Sequence, residues 1–138
     1  MSAAASDNRL FIYGTLLPGC APASMAGICK RLTPIAPARI QGTLYSLGPY
    51  PAITLGGDSF VAGELIEIDS DETWRELDRY EGCPRQGGGD GLFQRVRTSA
   101  TLVGSGESVE CWSYVYNRDL SRAKVIKSGC WRTHRGLK

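Results

Sequence analysis

A single helical pattern interrupts a chain whose other recognisable segments are all of strand type. Six short stretches combine apolar, β-branched and aromatic residues and are separated by turns that contain glycine or proline. They span residues 9–14, 38–47, 52–55, 59–68, 92–103 and 107–117. Gly56-Gly57-Asp58 predicts a hairpin between the third and fourth stretches. Short strands joined by hairpins favour a sheet that closes into a barrel. The sequence therefore predicts an α+β fold, a small and mainly antiparallel or mixed β-barrel of about six strands with one main helix packed against it.

The one helix is predicted over residues 70–81. Asp69 or Ser70 can cap its N-terminus, because both side chains accept hydrogen bonds from the first turn. Gly82 directly follows the pattern and is a typical helix stop. The glycine-rich residues 83–91 then predict a flexible loop.

The last residue of this helix, Glu81, has an unusual position. Trp74 and Leu77 define the apolar stripe of the helix, and Glu81 lies in the same stripe, four residues after Leu77. A carboxylate is expensive to bury unless it is paired, hydrogen-bonded or neutral, and burial raises its pKa. Such groups concentrate at functional sites, so Glu81 is the candidate catalytic acid. Two alternatives stay open: the helix frays at Tyr80 and Glu81 turns outward, or Glu81 forms a structural ion pair, for example with Arg95.

The scarcity of imidazole limits the available chemistry. His134 is the only histidine, which removes a Ser-His-Asp triad and a multi-histidine metal centre. The cysteines are odd in number and form no Cys-x-x-Cys, so we expect neither a zinc site nor a disulfide framework. They are Cys20, Cys29, Cys83, Cys111 and Cys130. A catalytic pair of Cys130 and His134 is a less favoured alternative to incidental, reduced thiols. No metal and no cofactor are expected.

Length and composition indicate one domain over residues 1–138, with 42% hydrophobic and 22% charged residues. No apolar run approaches the roughly 18 residues of a membrane-spanning helix. Residues 1–8 carry no secretory signal, and we expect them to be flexible in a cytoplasmic protein. The net charge of +2 does not call for a nucleic-acid partner. Residues 118–138 hold seven Lys/Arg and one acid. They are expected to be a solvated basic segment, with contact to RNA or an acidic partner as the alternative.

The first strand ends in Tyr13-Gly14-Thr15-Leu16. A strand that ends in glycine can turn sharply and expose consecutive backbone N–H groups, which bind an anion such as a carboxylate without a charged side chain. An ordinary turn at the end of a strand is the alternative. The sequence thus offers one carboxylate and one backbone anion site as the candidate functional pair.

Several segments, taken together and in this order, resemble the γ-glutamyl cyclotransferase-like family, and most closely its compact branch that includes γ-glutamylamine cyclotransferases. The resemblance extends over residues 10–132. Its pieces are Phe11 to Leu17, Gly42 to Gly48 with Tyr50-Pro51-Ala52, Val61 to Leu65, Leu77 to Gly82, Phe93 to Val96 and Ile126 to Arg132. Three positions depart from the family pattern: Cys83 stands where the family often has an aromatic residue, Phe93 where tyrosine is common, and Cys130 where aspartate is frequent.

The resemblance implies a γ-glutamyl cyclotransferase, an enzyme that releases 5-oxoproline and a free amine or amino acid from a small γ-glutamyl compound by intramolecular aminolysis. It implies a pocket at one end of the barrel, in which Glu81 acts as general base and then as general acid. Backbone amides of Tyr13, Gly14, Thr15 and Leu16 would hold the γ-glutamyl part of the substrate. Further candidates for the pocket wall are Tyr50, Phe93 and Tyr116. The alternative is a non-catalytic module on the same fold that binds a small ligand or a partner; neither a nucleic acid nor a membrane is expected as a partner.

Overall fold

The computed structural model describes residues 8–14, 17, 25–48, 50–81 and 93–136. In chain order the elements are β1 (Arg9–Ile12), α1 (Ala26–Cys29), β2 (Leu32–Ser46), β3 (Pro51–Ile68), α2 (Asp71–Tyr80), β4 (Phe93–Leu102), β5 (Ser108–Tyr116), β6 (Lys124–Val125) and α3 (Trp131–His134). The expected flexibility of residues 1–8 and of the loop 83–91 concerns segments that lie almost entirely outside the described residues.

Five strands close into a mixed barrel. The order around it is β3-β1-β5-β4-β2, and β2 pairs with β3 to complete the circle. β1 runs parallel to β5, whereas the other neighbours in the barrel are antiparallel. The short β6 adds to β2 outside this circle. The predicted fold, a small mixed barrel with one main helix, is therefore confirmed.

Two apolar layers lie on opposite faces of β1. We call the first the barrel layer, because one face of every barrel strand contributes to it. Its members are Phe11, Tyr13, Ala38, Ile40, Leu44, Ile53, Val61, Leu65, Ala100, Cys111, Ile126 and Trp131. We call the second the helix layer, because Trp74 and Leu77 of α2 pack into it. Its other members are Leu10, Ile12, Leu17, Met25, Ile28, Ala52, Ile66, Ile68, Phe93 and Tyr114.

The hairpin predicted at Gly56-Gly57-Asp58 is wrong. β3 continues from Pro51 to Ile68, and both of its halves pair antiparallel with β2. The register passes from Gln41↔Phe60 directly to Gly42↔Leu55, so the intervening residues of β3 bulge out. Positive φ angles of 90° and 82° at Gly56 and Gly57 make this bulge. Gly56 and Gly57 do turn the chain locally. The two halves of β3, however, pair with β2 and not with each other.

The strand predicted over 38–47 begins earlier, at Leu32. Pro34 and Pro37 argue against a strand because proline lacks the N–H that a ladder needs. The structure accommodates Pro34 beside a register irregularity between Pro34 and Ala36, and Leu32 pairs with Ile68. The predicted strands over 92–103 and 107–117 agree with β4 and β5 to within about one residue at each end.

The basic C-terminal segment is more than a solvated tail. Ile126 and Trp131 are buried in the barrel layer, and the N–H of Ile126 donates to the carbonyl of Leu44 at 2.7 Å. The N–H of Ala62 donates to Gly129 at 2.7 Å. Its exposed cations are Arg118, Arg122, Lys124, Lys127 and Arg135. The segment thus fastens to the barrel through its apolar residues and presents its charges outward. Among the described helices, none is long and apolar enough to cross a bilayer.

Candidate active site

Helix α2 carries the candidate acid and is fixed at both ends by local hydrogen bonds. Ser70 is the N-cap, and its hydroxyl accepts from the N–H of Thr73 at 3.3 Å. The Thr73 hydroxyl donates to Asp69 at 2.5 Å, so both predicted capping residues take part. At the other end, the N–H of Glu81 donates to the carbonyl of Leu77 at 2.9 Å. The helical hydrogen-bond pattern therefore reaches Glu81, and fraying at Tyr80 is wrong.

The electrostatic surroundings of Glu81 favour its neutral form. The residue is half-buried at the C-terminal end of α2. Burial, and then the negative charge of Asp78, raise the pKa of Glu81 to about 8. A carboxyl group with such a pKa both takes up and releases a proton near neutral pH, which is what a single residue serving as base and acid requires.

Asp78 lies one turn before Glu81 and is held by groups from two strands. Arg95 of β4 donates to its carboxylate from Nε at 3.0 Å and from Nη2 at 3.1 Å. The hydroxyl of Tyr114 on β5 donates to the same carboxylate at 2.7 Å. Because the fork of Arg95 is engaged by Asp78, the proposed ion pair between Arg95 and Glu81 is wrong.

Asp78 and Tyr114 were missed as site residues. Each had a usable signal: Asp78 stands three residues before Glu81, on the same side of the helix. Tyr114 shares a face of β5 with Tyr116, two residues on, by the alternation of a strand. Neither signal reveals that the two side chains meet, since 36 residues separate them in the chain.

Tyr13, at the end of β1, faces the same region as Glu81. Its buried hydroxyl donates to the main-chain carbonyl of Tyr114 at 2.5 Å. Burial, and then the negative charge of Glu81, raise the pKa of Tyr13 well above its usual range. Tyr13 therefore stays neutral, and its hydroxyl ties the end of β1 to β5.

Gly14 begins the turn that follows β1. The N–H of Leu17 donates to the carbonyl of Gly14 at 3.0 Å, which closes the turn. A Cβ atom at position 14 would lie 2.6 Å from Cγ of Pro51, so a larger residue would require Pro51 or the chain around position 14 to shift. Thr15 and Leu16 lie outside the described residues. This hydrogen bond joins the two described residues on either side of that gap, and anion binding by the amides of the segment stays a prediction.

The three candidates for the pocket wall form one aromatic cluster. The ring centroids of Tyr50 and Phe93 are 6.1 Å apart, and those of Phe93 and Tyr116 are 5.3 Å apart. Phe93 is buried in the helix layer, which Tyr50 and Tyr116 join as half-buried neighbours. Sequence reasoning thus grouped residues that the fold does bring together, from β4, β5 and the residue before β3.

A cleft of about 360 Å³ opens between α2 and the sheet, next to Asp78 of α2 and Arg95 of β4. It is lined by Asn8, Asp71, Trp74, Arg75, Asp78, Arg95 and Trp112. Glu81 and Tyr13 are absent from this lining, whereas Asp78 and Arg95 both border the cleft.

Groups that could hold a metal ion were sought throughout the described ranges. No cluster of three or more His, Cys, Asp or Glu side chains occurs there. The ring of His134 stacks on Trp131 with a centroid distance of 5.4 Å, at the barrel layer rather than near Glu81. Among the described residues, Glu81 is the carboxyl group whose pKa is raised into the neutral range, to about 8.

Comparisons with known proteins agree with this architecture. Residues 10–133 match the family described as γ-glutamyl cyclotransferase, AIG2-like. The chain is 36% identical over 113 residues to γ-L-glutamyl-butirosin B γ-glutamyl cyclotransferase of Niallia circulans, which covers 80% of this chain and 68% of that protein. It is 33% identical over 123 residues to the γ-glutamylcyclotransferase family protein YtfP of Escherichia coli K12, which covers 89% of this chain and 95% of that protein.

Two solved structures illustrate the shared fold. The crystal structure of an AIG2-like protein from Mus musculus superposes with a TM-score of 0.74 at 21% identity, over 95% of this chain and 93% of that one. The solution structure of YtfP from Escherichia coli gives a TM-score of 0.63 at 27% identity, over 92% of this chain and 98% of that one. At 21% identity the first likeness concerns the fold alone.

Proposed function

The chain belongs to the γ-glutamyl cyclotransferase, AIG2-like family, and from this membership we propose that it is a γ-glutamyl cyclotransferase in which Glu81 is the general base and acid. The observation that carries the assignment of Glu81 is its place at the end of α2, half-buried, with a pKa raised to about 8. The substrate class is a small γ-glutamyl compound.

The proposed reaction is an intramolecular aminolysis. The α-amine of the substrate attacks its own γ-carbonyl carbon, a new C–N bond closes the five-membered lactam, and the amide bond to the leaving nitrogen breaks. The α-ammonium group gives up two of its three protons and keeps the third as the lactam N–H. The leaving nitrogen takes up two protons, so the products are 5-oxoproline and a protonated free amine. Glu81 serves both transfers, first as base and then as acid.

Positioning would supply much of the rate. The enzyme must fold the substrate so that its amine and its carbonyl carbon meet, which is an effect of proximity and orientation. We assign this role to the turn that begins at Gly14, whose amides would hold the α-carboxylate or the developing oxyanion. The aromatic cluster of Tyr50, Phe93 and Tyr116 would form the wall beside the leaving group.

The test is product formation from a panel of γ-glutamyl compounds. The panel contains γ-glutamyl amino acids, γ-glutamyl-ε-lysine, γ-glutamyl conjugates of alkylamines and γ-L-glutamyl-butirosin B. The last compound is included because the Niallia circulans relative is named for it. We expect 5-oxoproline, detected by mass, from at least one member. Absence of the product with all of them, together with calorimetric binding of a panel member, would support the non-catalytic module instead.

Glu81→Gln tests the assigned residue. We expect turnover to fall by about 10² to 10⁴-fold while folding is retained, because the amide cannot exchange the proton. Glu76→Gln is the matched control on the same helix: Glu76 pairs with Arg31 at 2.9 Å and lies away from the Glu81 side. Near-normal turnover of a folded Glu81→Gln would remove Glu81 from the mechanism, and unfolding of this variant alone would point to a structural role.

A further inference from the structure

Three polar side chains beside the helix layer are connected by hydrogen bonds. We call them the Asp78 clamp and define it as Asp78, Arg95 and Tyr114. Three hydrogen bonds from two strands converge on the carboxylate of Asp78, at 3.0, 3.1 and 2.7 Å. We propose that Asp78 is a positioning residue: clamped by Arg95 and Tyr114, it fixes the last turn of α2, and with it Glu81, over the sheet. This proposal rests on the proposed cyclotransferase function.

Arg95 is a fixed anchor rather than a mobile surface arginine. Its guanidinium lies over the ring of Trp74 at 4.4 Å and over that of Trp112 at 5.0 Å. Such stacking between a helix tryptophan and a strand tryptophan holds the plane of the fork, so its bidentate contact with Asp78 is pre-organised. Arg95 and Asp78 keep 27% and 18% of their side-chain surface exposed, since the cleft beside α2 reaches them.

Tyr114 connects the clamp to the other half of the candidate site. Its hydroxyl donates to Asp78, and its own main-chain carbonyl accepts from the hydroxyl of Tyr13. Tyr13 directly precedes Gly14, where the turn begins. Two hydrogen bonds, linked through the covalent frame of Tyr114, therefore connect the helix next to Glu81 with the residue before Gly14. In the proposal, these bonds limit how far the base can move relative to the substrate-binding segment.

The Asp78 clamp also affects the pKa of Glu81. The negative charge of Asp78 on α2 acts on Glu81. Glu81 in turn acts on Tyr13, which directly follows β1, and on Tyr114 of β5. Arg95 on β4 is hydrogen-bonded to Asp78. The negative charge of Asp78 raises the pKa of Glu81, and burial is the larger cause. Burial, followed by its hydrogen bond to Asp78, raises the pKa of Tyr114 far above its usual range, so Tyr114 keeps the proton that it donates to Asp78.

The first experiment is independent of turnover. The side-chain carboxyl of Glu81 is titrated by ¹³C NMR in the wild type, Asp78→Asn, Tyr114→Phe and Glu110→Gln. Asp78→Asn keeps the shape and removes the charge, so we expect the Glu81 midpoint to fall by about half to one pH unit. We also expect the Glu81 amide, which donates to Leu77, to exchange with deuterium about tenfold faster. Glu110→Gln breaks an exposed pair with Arg97 and should change neither quantity.

The second experiment is kinetic. For Asp78→Asn we expect kcat to fall by about tenfold to a hundredfold with KM changed by less than about twofold, because the base is misplaced and substrate binding is not. The acidic limb of the pH–rate profile should move to lower pH, since Glu81 without its negative neighbour ionises earlier. Tyr114→Phe removes one donor and keeps the charge, so it should lower kcat about threefold to tenfold and move the limb less.

Three outcomes would overturn the proposal. They are an unchanged Glu81 midpoint and amide exchange in Asp78→Asn, a KM effect without a kcat effect, and a loss of rate that only follows the unfolded fraction. If Asp78→Asn does not fold, Tyr114→Phe decides by the same readouts. A wild type that yields no 5-oxoproline contradicts the proposed function, whereas the NMR titration and exchange still decide whether Asp78 positions Glu81.

Discussion

The barrel layer and the helix layer share the strand β1 but use their polar groups in opposite ways. In the barrel layer, the buried Ser113 hydroxyl donates to the main-chain carbonyl of Phe11 at 3.2 Å, and burial raises the pKa of the Cys111 thiol to about 11. Its polar groups are thus satisfied by backbone or neutral at physiological pH. Beside the helix layer, Tyr114 and Arg95 bond to the carboxylate of Asp78, and Glu81 titrates near neutrality.

The two layers thus illustrate two kinds of buried polar group with different consequences. A polar group that bonds only to backbone stabilises one arrangement of strands and has no charge to exchange. A carboxyl group placed beside a second carboxylate keeps a proton that it can release, at some cost in stability. The thiol of Cys111 in the barrel layer thus stays neutral at physiological pH, whereas the pKa of Glu81 is raised into the range in which a carboxyl group exchanges a proton.

The largest expected effect on the free energy of unfolding comes from a large-to-small substitution in the barrel layer. Trp131 is 2% exposed and fills the barrel from the C-terminal segment. We expect Trp131→Ala to lower the free energy of unfolding by about 3–5 kcal/mol, measured by urea denaturation, and Trp131→Phe to cost less. The pH–rate profile of the protein that remains folded should keep its acidic limb. A shifted limb would show that the two layers are coupled.

An intermediate effect should appear in the pH dependence of stability. The pKa of Glu81 is raised in the folded state, so its contribution to stability is present below its unfolded pKa and is lost as the pH rises towards about 8. Wild type should therefore lose about 1–3 kcal/mol more than Glu81→Gln between pH 5 and 8.5, less than full linkage because Glu81 is half-buried.

Cys111→Ala is the matched control for that measurement from the barrel layer. The thiol also has a raised pKa, but its titration window lies between about 9 and about 11. The pH dependence of this variant between pH 5 and 8.5 should equal that of the wild type after a constant offset for the lost sulfur. Equal slopes for wild type and Glu81→Gln would contradict a raised pKa at Glu81.

The smallest effect should come from a pair outside both layers. Arg97 donates to Glu110 at 3.3 Å, two residues along β4 from Arg95, with 42% and 68% of their side chains exposed. Because water screens such a pair, Glu110→Gln should change the free energy of unfolding by less than about 0.5 kcal/mol in thermal melts. A larger loss would mean that burial does not distinguish this pair from Arg95 and Asp78.

Much of the fold could be predicted from local sequence patterns. The helix over 70–81 and the strands over 92–103 and 107–117 were predicted correctly, because capping and hydrophobic periodicity depend on residues a few positions apart. The hairpin predicted at Gly56-Gly57 is wrong. The two glycines indicate a turn, but they do not indicate that the segments on either side of it pair with β2 rather than with each other.

The sequence by itself determined that Glu81 ends an amphipathic helix in line with its apolar stripe, and that a glycine turn follows the first strand. The tertiary structure alone decided what surrounds Glu81. Arg95 reaches Asp78 across 17 residues, Tyr114 across 36, and Tyr13 meets Tyr114 across 101. Such contacts follow from how the barrel closes, and strand pairing over long separations is set by the global arrangement of apolar faces rather than by any local spacing.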